Sequence, residues 1–96
     1  MGKRYYVYIM TNQSHSTLYT GVTSKLKARV FEHKEKLDPD SFTARYNINK
    51  LVYYETFENA ESAIKREKQI KNLVRRRKIK LIDEFNLAWV NLYDDL

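Results

Sequence analysis

Apolar and polar positions along this chain change period several times, and each change marks an element. From Arg4 to Met10 the run R-Y-Y-V-Y-I-M is β-branched and aromatic with no breaker, which predicts a strand. Alternation assigns Tyr6, Tyr8 and Met10 to one face and Tyr5, Val7 and Ile9 to the other. The polar stretch T-N-Q-S-H-S-T, Thr11 to Thr17, predicts a connecting loop. Leu18 to Val22 then predicts a second strand, closing a hairpin whose tip carries a solvated His15.

The period lengthens after Gly21. With Thr23 or Ser24 as N-cap, the chain to about Leu37 predicts a helix with Leu26, Val30, His33 and Leu37 on one side. Arg29 lies on the flank of that side, and Arg29 and His33 project from successive turns. Asp38-Pro39-Asp40-Ser41 stops the helix, because proline cannot continue it and disfavours a helical residue before it. Ser41 or Asp40 caps a short helix through Tyr46, and K-L-V-Y-Y-E-T-F, Lys50 to Phe57, predicts a third strand.

A second long helix is predicted from about Ala60 to Leu73, with an apolar arc of Ala60, Ala63, Ile64, Ile70 and Val74. Glu67 falls near the centre of that arc. A carboxylate among core-facing positions is costly unless it is paired, hydrogen-bonded or bound to a cation. Arg75 to Ile82 predicts a further helix, apolar at Ile79 and Ile82 and basic outside. The tail N-L-A-W-V-N-L-Y-D-D-L predicts a last short helix with Asn86 as N-cap and Trp89, Leu92 and Leu96 packing down. No repeat or low-complexity linker divides the chain, so one domain, residues 1–96, is expected.

Composition limits what such a domain can be. In 96 residues that are 43% hydrophobic, 8 Tyr, 4 Phe and 1 Trp supply much of the core, so several rings must sit half buried with polar tips satisfied. The absence of cysteine removes disulfides and thiolate metal sites. No apolar stretch approaches the roughly 20 residues a membrane span needs, and the N-terminal run does not resemble a signal peptide. A cytoplasmic protein without a membrane partner is expected. Net charge is +6, and of 18 basic residues 9 lie between Lys65 and Lys80, where Glu67 is the only acid. Such density attracts nucleic-acid phosphates through counterion release. Lys65, Lys68, Lys71, Arg75, Arg76, Arg77 and Lys78 are the candidate contacts, against the alternative of a merely solvated cationic face.

Zinc chemistry is unsupported, with no cysteine and two distant histidines. A glycine-rich phosphate loop is excluded by having only Gly2 and Gly21. Five residues remain: Tyr8, Tyr19, Arg29, His33 and Glu67. Together they can supply a base for water, a cation for phosphate and a carboxylate for a divalent metal, which phosphodiester hydrolysis requires.

V-Y-I at 7–9, Y-T-G at 19–21, Arg29 ten residues after Tyr19, His33, and Glu67 within A-I-K-R-E-K-Q-I-K together resemble the GIY-YIG nuclease superfamily. The likeness is greatest to its small single-domain bacterial members, which are similar to the N-terminal catalytic domain of an excision-repair nuclease. It extends over the L-V-Y-Y-E strand and the terminal W-x-x-L-Y. It implies an α+β fold with a small central three-stranded antiparallel sheet flanked by helices. It further implies that Tyr8 and Tyr19 are the two motif tyrosines, and that one of them, or His33, activates water. Arg29 would bind the scissile phosphate, and Glu67 would hold a single Mg²⁺ or Mn²⁺. Asn86, or less well Asn91, would be the supporting asparagine. The implied activity is metal-dependent DNA endonuclease, linked to repair or recombination and selective for branched, damaged or otherwise structured DNA, with a partner protein supplying specificity. The alternative is a non-catalytic nucleic-acid-binding module of the same fold. The sequence departs from the pattern at Val7, where a glycine leads the first motif, at Thr20, at Val22 in place of a lysine, and at Leu87 in place of proline.

Overall fold

The structure is a computed structural model and describes residues 3–96; Met1 and Gly2 of the expected 1–96 domain lie outside the described residues. The first two apolar runs form β1 (Tyr5–Thr11) and β2 (Leu18–Thr23), an antiparallel hairpin in which Tyr8 faces Gly21. The third forms β3 (Lys50–Phe57), antiparallel to β1, so the sheet order is β2-β1-β3 and β2 is an edge strand. The helices are α1 (Leu26–Lys34), α2 (Phe42–Arg45), α3 (Ala60–Lys71) and α4 (Arg75–Phe85), followed by a 3-10 turn at Leu92–Asp95.

Each face of the sheet has its own core. Tyr8, Met10 and Leu51 pack with Leu26 and Val30 of α1, bordered by Tyr6, Tyr19, Leu92 and Leu96. Val7, Ile9, Val52 and Tyr53 pack with Ala63 and Ile70 of α3, Ile82 of α4 and Trp89. The expected alternation of β1 is therefore what the two cores use. On β3 it slips, because a bulge opposite Ile9 and Met10 inserts Val52 and turns Val52 and Tyr53 to one face.

The helices depart from expectation mainly at their ends. α1 starts later than Thr23 or Ser24 would set it: its N-cap is Lys25, and Thr23 Oγ1 instead accepts from the Lys25 N–H. It also stops before Leu37. Lys36 takes a left-handed φ of 53°, and the Leu37 and Lys36 N–H groups donate to the Glu32 and His33 carbonyls, a Schellman closure that leaves Leu37 62% exposed. Ser41 caps α2 by accepting from the Ala44 N–H. Asn59 caps α3, whose buried arc is narrower than expected: Ala63 and Ile70 are fully buried, while Ile64 and Val74 are exposed.

The tail differs most. Nothing breaks α4 at Ile82, so it runs to Phe85 and Asn86 closes it instead of opening another helix. Asn91 caps the 3-10 turn by accepting from the Tyr93 N–H. The Asn86 amide donates to the carbonyls of Val52 (3.1 Å) and Val90 (2.8 Å), and its oxygen accepts from the Val90 N–H (3.1 Å). Asn91 also accepts from the Leu51 N–H (3.2 Å). Both asparagines thus pin the tail to β3 beside the bulge, covering an edge that would otherwise leave backbone groups unpaired.

His15 is not solvated. Its ring stacks on Trp89 with centroids 4.6 Å apart, its Nε2 lies 3.0 Å from Lys50 Nζ, and its carbonyl accepts from Arg75 Nη2 at 2.6 Å. A loop, a strand, a helix and the tail meet there.

Candidate active site

Tyr8 comes from the middle of β1, Tyr19 from β2, and Arg29 and His33 from α1, which lies over the face that carries both tyrosines. Tyr8 Oη and His33 Nε2 are 3.0 Å apart. The Tyr19 ring stands edge-on to the His33 imidazole at 5.3 Å and lies 6.2 Å from the Tyr8 ring. Gly21 makes this possible: a Cβ there would sit 2.5 Å from both Cζ and Oη of Tyr8. Since Tyr8 is 1% exposed and its ring packs in the core beneath α1, it has little room to retreat.

His33 is tied at both nitrogens. Its Nδ1 lies 2.8 Å from Thr43 Oγ1, which in turn is 3.2 Å from Ser41 Oγ. With the proton on Nδ1, His33 donates to Thr43 and accepts from the Tyr8 hydroxyl, giving a hydrogen-bonded chain from the tyrosine to α2. Sequence reasoning misses Thr43 and Ser41; the only cue is that a buried imidazole needs a partner for its second nitrogen.

Burial, and next the Arg29 charge, lower the His33 pKa to about 4, so the imidazole is neutral at pH 7. Burial, reinforced by Tyr19, raises the Tyr8 pKa, with the Arg29 charge pulling the other way. Neutral Tyr8 and neutral His33 therefore share the pair. The unfolded chain takes up the imidazole proton near the ordinary value of 6.5, whereas the folded chain resists until about 4. Stability from this group is complete above pH 6.5 and is lost as pH falls through that window. Denaturant unfolding should show a loss of about 1.5 kcal/mol at most between pH 6.5 and 5, and His33→Gln should flatten the slope.

Arg29 is half exposed and paired within its own helix: its Nη1 donates to Glu32 Oε1 at 2.7 Å, a hydrogen bond that raises the Arg29 pKa. A pocket of about 230 Å³ opens beside it, lined by Arg29, Glu32, His33, Leu37, Asp38 and Ser41.

Glu67 is not in that cluster. Arg29 pairs with Glu32, and Glu67 Oε2 pairs with Lys71 Nζ at 2.7 Å. Helix α3 packs on the opposite face of the sheet, over β1 and β2. Its direction follows from helix geometry. Arg66 and Glu67, about 100° apart, flank the line through Ala63 and Ile70 that faces the sheet. Arg66 reaches Glu55 on β3 through three contacts of 3.0 to 3.1 Å. Glu67 is therefore turned away from β3, towards the β2 edge, with its side chain only 12% exposed. Among the described residues no three His, Cys, Asp or Glu side chains gather as a metal cage. A lone carboxylate does fit magnesium, which keeps most of its waters and binds through one or two carboxylates plus phosphate.

Asn86 lies elsewhere, its amide committed to β3 and the tail. Of the basic run, Lys65, Lys68, Lys71, Arg75, Arg76 and Arg77 are exposed and Lys78 partly so, though Lys71 serves Glu67 and Arg75 serves the His15 carbonyl. Arg76, Arg77 and Lys80 line an open groove of about 570 Å³ with Arg66, Leu73 and Glu84. No helix among the described residues is long and apolar enough to cross a membrane.

Comparison with known proteins finds similar chains at the level of family and fold. The profile of the GIY-YIG catalytic domain matches residues 4–80. A UPF0213 protein of Clostridium perfringens is 42% identical over 86 residues, 90% of each chain. A UPF0213 protein of Staphylococcus haemolyticus is 36% identical over 81 residues, 84% of this chain and 96% of its own. The solution NMR structure of a UPF0213 protein from Bacillus halodurans superposes with a TM-score of 0.58 at 27% identity, covering 92% of each chain.

Proposed function

This chain belongs to the GIY-YIG catalytic domain family, a family of nucleases that are generally dependent on a divalent metal and act on nucleic acid, and from that premise we propose that it is a magnesium- or manganese-dependent DNA endonuclease acting as one domain. The observation that carries the reading is the meeting of Tyr8, Tyr19, His33 and Arg29 on one sheet face, beside an edge strand towards which Glu67 is turned from the other side.

Arg29 receives the scissile phosphate. Its guanidinium is exposed, and exchanging the surface bond to Glu32 for a phosphate is a small loss against a stronger charge-assisted pair. Tyr8 and His33 manage the proton of the attacking water: as the water gives up a proton to the Tyr8 oxygen, the phenolic proton passes over 3.0 Å to His33 Nε2. A phosphate on Arg29 offsets the charge that depresses His33, which makes the imidazole a better acceptor when substrate is present. Tyr19 walls the site and orients the imidazole. Glu67 would hold the metal at the β2 edge. When bound there, a divalent cation supplies Lewis-acid stabilisation of charge on the leaving oxygen. The basic surface of α3 and α4 holds flanking DNA, the structure preferred being branched or damaged duplex of the kind met in repair, with a partner protein refining the choice.

Supercoiled plasmid incubated with Mg²⁺ or Mn²⁺ tests this. Wild-type protein should convert it to nicked circles, EDTA should stop the reaction, and Arg29→Ala should slow it by about 10²–10³, the usual cost of removing one donor to a charged transition state. Equal rates for wild type and Arg29→Ala would refute the assignment. Salt-sensitive binding without any cleavage would replace it with a non-catalytic binding module.

A further inference from the structure

The rings at the site do not end at Tyr19. Phe42, the first residue of α2, stacks against Tyr19 with centroids 6.2 Å apart and planes 29° from parallel. Tyr46, one turn on, lies against Phe42 at 4.6 Å and 37°. Phe42 and Tyr46 are each 47% exposed and belong to neither core, so the fold does not use their outer faces. Yet α2 is held firmly: Ser41 caps it, Thr43 bonds to His33, and buried Ile48 anchors the chain just beyond it. Arg45, between the two rings in sequence, is exposed and adds positive charge. A rigid, exposed pair of rings, continuous with the phosphate site and flanked by cations, has the composition of a surface on which successive bases stack.

We propose that Phe42 and Tyr46 form a stacking subsite for unpaired bases of the strand whose phosphate Arg29 holds, so that the enzyme selects single-stranded or locally melted nucleic acid. In a paired duplex the bases are stacked on one another and present only edges, so the rings have nothing to stack on. The proposal rests on the nuclease reading for the position of the phosphate, and its test is chosen to stand apart from catalysis.

A fluorescent single-stranded oligonucleotide and the matching blunt duplex would be titrated with protein in EDTA at fixed salt, where cleavage plays no part. The single strand should bind more tightly. Tyr46→Ala and Phe42→Ala should each weaken it roughly tenfold, about the share of one stacked base. Duplex affinity and thermal unfolding should be unchanged, and Tyr46→Phe should bind as wild type does. Equal weakening on both substrates, or none on either, overturns the subsite. Burial of these rings only in a complex with another protein, with single-strand binding unaffected by their loss, would overturn it in favour of a protein-docking role. Ring-dependent binding by a protein that never cleaves leaves the subsite standing and removes the nuclease reading. Ring-independent cleavage does the reverse.

Discussion

Glu67→Gln protein is expected to nick plasmid at least about a hundredfold more slowly than wild type, while unfolding at nearly the same temperature. The substitution keeps shape and removes charge. If Glu67 holds the cation, its loss withdraws several kcal/mol of transition-state stabilisation. The fold should hardly notice. Glu67 precedes Lys71 by one helical turn, and the Lys71 side chain is 52% exposed, so the pair contributes no more than about 0.5 kcal/mol. Plasmid nicking against time and a thermal melt on the same samples check both halves. Undiminished nicking would remove Glu67 from the mechanism.

Asn86→Ala should do the opposite. Its side chain is buried and makes three hydrogen bonds, to the Val52 carbonyl and to both backbone groups of Val90. Alanine leaves the Val52 carbonyl buried and unpaired at about 1–3 kcal/mol and also strips the two part-buried Val90 groups of their partner, where water can enter. A loss of about 3 kcal/mol is expected, lowering the melting temperature by more than roughly 10 °C. Well below the new melting point, the nicking rate should remain that of wild type, because the amide touches β3 and the tail and not the tyrosines. A normal melt with slow nicking would return Asn86 to the catalytic group.

The contrast between these two residues shows which parts of the molecule are legible in its sequence. β3 is readable to its end residues, since β-branched and aromatic residues run between an Asn-Lys start and a Glu-Asn stop. Its bulge is not, because a bulge is decided by the partner strand. His33 on the inner side of α1 follows from helical spacing, while its bond to Thr43 does not, since nine residues, one of them a proline, intervene. Arg29 finds its partner locally, because Glu32 stands three residues along the same helix and such a pair needs no tertiary contact. Asn86 misleads because asparagine suits either end of a helix. Only the continuation of α4 through Asp83, Glu84 and Phe85 decides which end it takes.

The junction around His15 has a practical side. Trp89, the only tryptophan, stacks on His15 and donates its indole N–H to Asp83 at 2.6 Å, so its surroundings depend on the hairpin loop, α4 and the tail together. The intrinsic fluorescence of this protein is therefore a built-in gauge of whether the tail is docked, obtained without any label.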